Sequence, residues 1–321
     1  MNADLYLRVL PPKPGCGLGD VYVYLPTGDG RFTEVRFAYT HFAPMPSLSF
    51  ADRRYNTNNC ELYRISEAYI GRLEGETFTP DFRALQSGEV SLALREEGAG
   101  DFVGGCHGDE RFTLARFIAD GREIPLDTPS FTSCRTVDVH EDSVINRCHT
   151  PNYPLCLHRQ RYRIEGDTIR LSQYVEWLND ARLVTSAYMP MLTAQRLDPA
   201  DPSRRITDTA VFFDRPGGSP VATVDTTPYG ATPTEGLEAN LLVGTAAEAV
   251  RIFGKETGLV AETGLSLPED SPLKGRIRIR LWLRYGNELD SKAYFDVAGG
   301  TYPKRGDVWQ AEIYYRLAIE V

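Results

Sequence analysis

The stretch Phe102-Val103-Gly104-Gly105-Cys106-His107-Gly108-Asp109-Glu110-Arg111-Phe112 carries the densest set of reactive side chains in the chain, including one of only five histidines. Its glycines lack a Cβ, so the backbone can take positive φ or let a ligand approach closely, which makes the turn a candidate site. On an extended segment His107 and Asp109 project to one side, where a carboxylate could orient an imidazole or share a metal with it, and Glu110 projects to the other. Cys106, next to His107, would face away from it, which disfavours a thiol nucleophile activated by that imidazole. Without a ligand, the same stretch is a tight strand connection whose polar groups satisfy one another.

Further acid and base candidates are Tyr174, Glu176 and His149. A lyase acting on a uronate-containing glycan needs a base such as His or Tyr, with Arg, Asn or Gln to neutralise the neighbouring carboxylate. Arg111, His149, His158, Gln160, Arg161 and Gln173 are residues of the types that would hold such a substrate. Arg280 and Trp282 lie in an alternating run with Arg276, Arg278 and Arg284, a cationic and aromatic face suited to carboxylate pairing and sugar stacking. Cross-strand ion pairs to Glu312 and Glu320 on a facing strand explain the same arginines without a ligand. Arg163 opposite Arg170 would repel unless an acid lies nearby.

No H-x-H or H-E-x-x-H spacing marks a metal, and none is expected from the sequence. There is no P-loop, no G-x-G-x-x-G opening a helix and no G-x-S-x-G elbow, so no cofactor is expected either.

The elements that must position these residues read as strands. Leu5 to Leu10, Val21 to Leu25 and Phe32 to Tyr39 alternate apolar and polar residues between Pro- and Gly-rich breakers. Strand patterning resumes at Leu62 to Ile65, Tyr69 to Leu73, Val90 to Arg95, Phe112 to Ile118 and Arg135 to His140. Ala43 to Asn59 and Ser219 to Glu238 read as loops, and a helix is conceivable only at Thr245 to Phe253, where Ala249 to Phe253 equally suits a strand. Gly166-Asp167 predicts a two-residue hairpin that pairs Ile164 with Ile169, Tyr162 with Leu171, Gln160 with Gln173 and His158 with Val175. That face begins apolar and turns polar at the glutamines and His158, as at a pocket or a sheet edge. The opposite face carries Arg159, Arg161, Arg163, Arg170, Tyr174 and Glu176.

Evenly spaced strands with almost no helix predict an all-β protein, a large antiparallel β-sandwich of supersandwich or jelly-roll type formed as one domain over 1–321. The net charge of −9 argues against nucleic acid as a partner. The first residues lack a basic, apolar leader, and no long uncharged apolar run occurs, so no membrane partner and a cytoplasmic setting are expected. The six cysteines contain no C-x-x-C pair and read as free thiols.

In length, strand density and polar strand faces rich in His, Glu, Arg and Trp, the chain resembles the galactose mutarotase-like supersandwich proteins, which include sugar epimerases and the β-domains of polysaccharide lyases. The resemblance implies a saccharide as partner and, for a mutarotase, a histidine paired with a glutamate, for which His107, His158 and Glu176 match in type. The leading expectation is a carbohydrate-active enzyme, a polysaccharide lyase cleaving an acidic glycan by β-elimination with His107 or Tyr174 as base. Asp109 and Glu110 complete its acid and base set. The alternatives are a mutarotase or epimerase using His107 and Glu176, and a non-catalytic glycan-binding or virion structural protein.

Overall fold

The computed structural model describes residues 4–12, 15, 17–42, 59–86, 92–183, 186–233, 240–296 and 300–320. These residues form strands numbered in chain order from β1 (Leu5–Val9) to β21 (Val308–Ile319). The strands make two long runs. One orders β8 (Arg122–Ile124), β7 (Glu110–Ala119), β10 (Thr136–Arg147), β11 (Thr150–Glu165) and β12 (Thr168–Trp177). It continues through β21, β18 (Leu259–Ser266), β17 (Ala249–Phe253), β14 (Thr209–Phe213) and β15 (Pro220–Asp225).

The other orders β9 (Ser130–Cys134), β1, β2 (Val21–Pro26), β3 (Phe32–Phe42), β4 (Cys60–Glu74) and β5 (Thr77–Gln86). It goes on through β13 (Ser186–Gln195), β20 (Asp290–Asp296), β19 (Arg278–Leu283) and β16 (Asn240–Thr245), with the short β6 (Ala93–Arg95) also on β13. Pairing within both runs is antiparallel, and one parallel bridge, Glu61 to Arg111, ties β4 to β7. The all-β class expected from the patterning is the one observed.

The two runs face each other across a shared apolar interior. Phe37 of β3 meets Phe117 of β7 and Tyr162 of β11 edge-on, with ring centroids 5.4 and 5.6 Å apart. Alternation of buried and exposed residues along β10, β12, β19 and β21 supplies that interior from period-two patterning. The hairpin at Gly166-Asp167 has the expected register, with Ile164 opposite Ile169, Gln160 opposite Gln173 and His158 opposite Val175. Arg163 does lie opposite Arg170, and Asp138 supplies the acid beside it, 2.9 Å from the Arg163 guanidinium.

One open alternative is decided and two local expectations are corrected. Ala249 to Phe253 is the strand of the two alternatives, hydrogen-bonded on both sides, to β14 and β18. The Thr-, Pro- and Gly-rich segment after Ser219 contains β15, a strand at the end of its run. The arginine-bearing strand β19 pairs with β16 and β20, so Glu312 of β21 and Glu320 just after that strand do not face it. Arg284 instead makes an ion pair with Asp290. Residues 43–58 of the loop expected over Ala43 to Asn59 lie outside the described residues, as do residues 90–91 of the strand expected over Val90 to Arg95.

Phe37→Ala removes a ring fully enclosed by both layers and should cost about 3–5 kcal/mol. Arg280→Ala, on an exposed position, should change stability by less than about 0.5 kcal/mol. Urea denaturation checks both, and equal losses would contradict the placement of the core.

Candidate active site

The glycine-rich stretch is a single 3-10 turn, Gly105–His107, between β6 and β7. Gly104, Gly105 and Gly108 take positive φ of 92°, 53° and 80°. A Cβ at Gly104 would stand 2.8 Å from the Leu92 carbonyl oxygen, so the first glycine is also required for the close approach of β6. The turn is not extended, which overturns the expectation that His107 and Asp109 share a side. The His107 ring packs against Phe102, with centroids 5.1 Å apart.

Asp109 has φ 53°, in the left-handed region, and its side chain goes to a different partner. The backbone N–H of His149 donates to Asp109 Oδ2 at 3.1 Å, and His149 Nδ1 lies 3.9 Å from the same oxygen. His149 is itself left-handed, with φ 64°. Non-glycine residues in this region are uncommon, and when the fold holds two of them in contact a functional constraint is the natural inference.

Glu110 turns inward and is 1% exposed. Its carboxylate accepts from the Gly105 N–H at 2.5 Å, from Ser143 Oγ at 2.5 Å and from His158 Nδ1 at 2.8 Å. On the far side of the imidazole, Gln173 Nε2 lies 2.7 Å from His158 Nε2. A neutral imidazole protonated at Nδ1 satisfies both contacts, donating to Glu110 and accepting from Gln173. Burial pushes the Glu110 carboxyl up, but the imidazole and the donors outweigh it and hold the group below the usual carboxylate value. Gln160 accepts from the Tyr162 hydroxyl at 2.8 Å. The change from apolar to polar along this face therefore marks a buried polar network rather than a pocket or a sheet edge, and His158 at 0% exposure is closed to a substrate.

A cavity of about 840 Å³ is lined by His149, with Asp109 behind it. Cys148 and His149 line it, with Arg147 held by two hydrogen bonds to Glu96 at 2.8 and 2.9 Å and stacked 4.2 Å from the centre of the Tyr153 ring. Its rim pairs Arg182 with Glu97 at 3.0 Å and Lys304 with Asp180 at 3.0 Å. Tyr302, 52% exposed, stands at this rim with the Arg182 guanidinium 5.3 Å from its ring centre. Of the site residues read from the sequence, only His149 lines this cleft, with Asp109 behind it.

Glu96, Arg147, Arg182 and Tyr302 were missed. The available signals were an acidic pair before a glycine, Glu96-Glu97-Gly98, and the run Arg147-Cys148-His149.

The remaining candidates are dispersed. Tyr174 and Glu176 lie on β12, 3.4 Å apart, and Arg159 stacks on Tyr174. Arg161 pairs with Asp142 at 2.5 Å, and Arg111 pairs with Glu61. Arg280 and Trp282 are exposed on β19 in the other run of strands, with Trp282 6.0 Å from the Lys292 ammonium.

No protein-family model and no curated protein matches the chain in sequence. Solved structures similar to it include an aldose epimerase homologue from C. elegans, at 10% identity and a TM-score of 0.38, with 99% of this chain and 100% of that one covered. A galactose 1-epimerase from Lactobacillus acidophilus has 10% identity and a TM-score of 0.37, with 98% of each chain covered. A heparinase III has 7% identity and a TM-score of 0.36, with 92% of this chain and 35% of that one covered. Among the described residues, no helix is long and apolar enough to cross a membrane.

A second buried carboxyl gives the polar network a pH dependence. Glu141 accepts from the Tyr63 N–H at 3.0 Å, and burial together with the nearby Glu110 charge pushes its carboxyl well above 4.5. A raised folded value stabilises the fold fully below the unfolded carboxylate range, and this contribution is lost as pH rises through the folded value. Glu110, with its lowered value, has the opposite sign: its contribution is present above the unfolded range and lost as pH falls through the folded value. Glu141→Gln should therefore gain on the wild type between about pH 5 and about pH 8, by on the order of 1 kcal/mol or more. Urea denaturation at both values reads this, and a difference independent of pH would remove the assignment.

Proposed function

We propose that the cleft beside His149 is the active site of a carbohydrate-active enzyme whose substrate is an acidic saccharide and whose reaction is β-elimination. The observation that carries the reading is the contact of two left-handed residues, Asp109 and His149, at the wall of the 840 Å³ cavity. Strain of this kind persists where the surroundings over-determine it, commonly at a reacting centre.

The walls suit the ligand. Tyr302 offers an exposed ring on which a sugar face can stack. The Arg182 and Lys304 ion pairs are solvent-exposed and contribute little on their own, so their cations can turn to a uronate carboxylate at small cost. Arg147, fixed by Glu96 and Tyr153, adds a cation that stays in place.

In β-elimination the carbon next to the carboxylate gives up a proton, and its electron pair forms the C=C bond. The bond to the glycosidic oxygen breaks, and that oxygen leaves with a proton. The cations stabilise charge that builds on the carboxylate as the proton departs. In this reading the corner of Asp109 and His149 accepts the proton. This moves the base from His107 and Tyr174, neither of which lines the cleft.

Incubation with a panel of acidic polysaccharides should raise unsaturated-uronate absorbance, and His149→Ala should lower the rate by about 100-fold or more with the fold retained. No rise with any member of the panel would sink the elimination. Faster anomer interconversion of aldoses in its place would move the reading to a mutarotase.

A further inference from the structure

The corner beside the cleft contains a third chemically distinct group, the Cys148 thiol. One ligand-type atom from each of Asp109, Cys148 and His149 lies within 4.8 Å of the other two. Cys148 Sγ is 3.4 Å from His149 Nδ1, and that nitrogen is 3.9 Å from Asp109 Oδ2. A tetrahedral zinc ion, with bonds of about 2.3 Å to sulfur and about 2.0–2.1 Å to nitrogen and oxygen, separates its S and N ligands by about 3.5–3.6 Å and its N and O ligands by about 3.4 Å. The sulfur and nitrogen already stand at ligand spacing. The Asp109 oxygen, 3.9 Å from that nitrogen and within 4.8 Å of the sulfur, has to move inward to join them.

The backbone explains how neighbours in sequence can share one ion. Residues i and i+1 on a strand point to opposite faces, yet Cys148 and His149 fall in the turn between β10 and β11, where His149 leaves the extended region at φ 64°. Asp109 reaches the same point from the turn before β7, and its main-chain carbonyl accepts from the Asn146 N–H at 2.7 Å, which fixes one turn against the other.

We propose that Asp109, Cys148 and His149 hold a zinc-type cation whose remaining coordination position opens onto the cleft. Thiolate and imidazole ligands favour zinc over magnesium or calcium, which prefer oxygen alone. Three protein ligands with one open position is the arrangement of catalytic rather than structural zinc. A hydrogen bond from the thiol to the imidazole accounts for the sulfur–nitrogen contact alone. It does not account for the carboxylate converging on the same point. The cation rests on this geometry. Its use rests on the β-elimination reading, in which hydroxide on the ion, formed from water whose pKa is brought down toward about 7, would accept the proton and become water.

The test is metal content, read without substrate. Protein loaded with zinc and dialysed against metal-free buffer should retain about one equivalent per chain. Cobalt(II) in its place should give a thiolate-to-metal charge-transfer band. Cys148→Ser and Asp109→Asn should each lower retained zinc by about tenfold or more, and Cys148→Ser should abolish the band, with circular dichroism reporting the fold.

Failure of the folded wild type to retain zinc, or retention at the wild-type level by both folded variants, overturns the site. If a variant does not fold, the wild-type cobalt band decides: its absence overturns the proposal. A protein that holds zinc and cleaves no acidic polysaccharide keeps the site and loses the elimination. One that cleaves without metal does the reverse.

Discussion

The Glu110 carboxylate, buried and holding three hydrogen bonds, is the constraint on which the site depends. An ionised carboxylate inside a protein is costly unless donors replace its water, and here a backbone N–H, a hydroxyl and an imidazole do so. Each donor comes from a different piece of chain: Gly105 from the turn, Ser143 from β10 and His158 from β11. One side chain therefore pins the glycine turn to two strands of the sheet. The turn cannot relax without leaving that charge unpaired in the interior. Asp109, the preceding residue, is buried too, and its carboxylate is turned to the backbone of His149.

Two carboxyl groups in one interior are pushed in opposite directions by the donors and charges around them. Glu110 has enough donors to stay charged, whereas Glu141 has the Tyr63 N–H and a like charge nearby, and burial favours its neutral form. The cleft outside is organised in the opposite way. Its cations and carboxylates are paired one to one, Arg147 with Glu96, Arg182 with Glu97 and Lys304 with Asp180, so the lining is charged locally and balanced in sum. Exposed pairs of this kind add little stability, so their arrangement is weakly constrained by folding. A polar ligand can exchange with one member of a pair at low cost.

Much of the fold was legible because period-two patterning and a two-residue turn are local signals. The β11–β12 register followed by counting outward from Gly166-Asp167, and the inward side chains it named are the ones buried. What failed was non-local. Whether Arg280 faces Glu312 or Tyr294 depends on which distant strands become neighbours, and topology placed β20 beside β19. Ala249 to Phe253 is too short for its apolar pattern to separate helix from strand, and pairing on both sides decided it.

The site divides in the same way. The sequence drew attention to His107, Asp109, Glu110, His149 and His158, and the structure joins four of them in two pairs that no spacing announces, Glu110 with His158 and Asp109 with His149, while His107 packs on Phe102. A motif search for metal or acid–base residues looks for i, i+2 or i, i+4 repeats on a regular element, where side chains meet because the backbone is periodic. At Asp109 and His149 the backbone leaves that periodicity, since both have positive φ, and the two residues are 40 positions apart. Left-handed aspartate and histidine have no sequence signature comparable to glycine's, so the glycines at 104, 105 and 108 were readable while the departures beside them were not. Adjacent Asp109 and Glu110 consequently serve opposite sides of one wall. Glu110 ties the turn into the core, and the fixed turn holds Asp109 at the cleft.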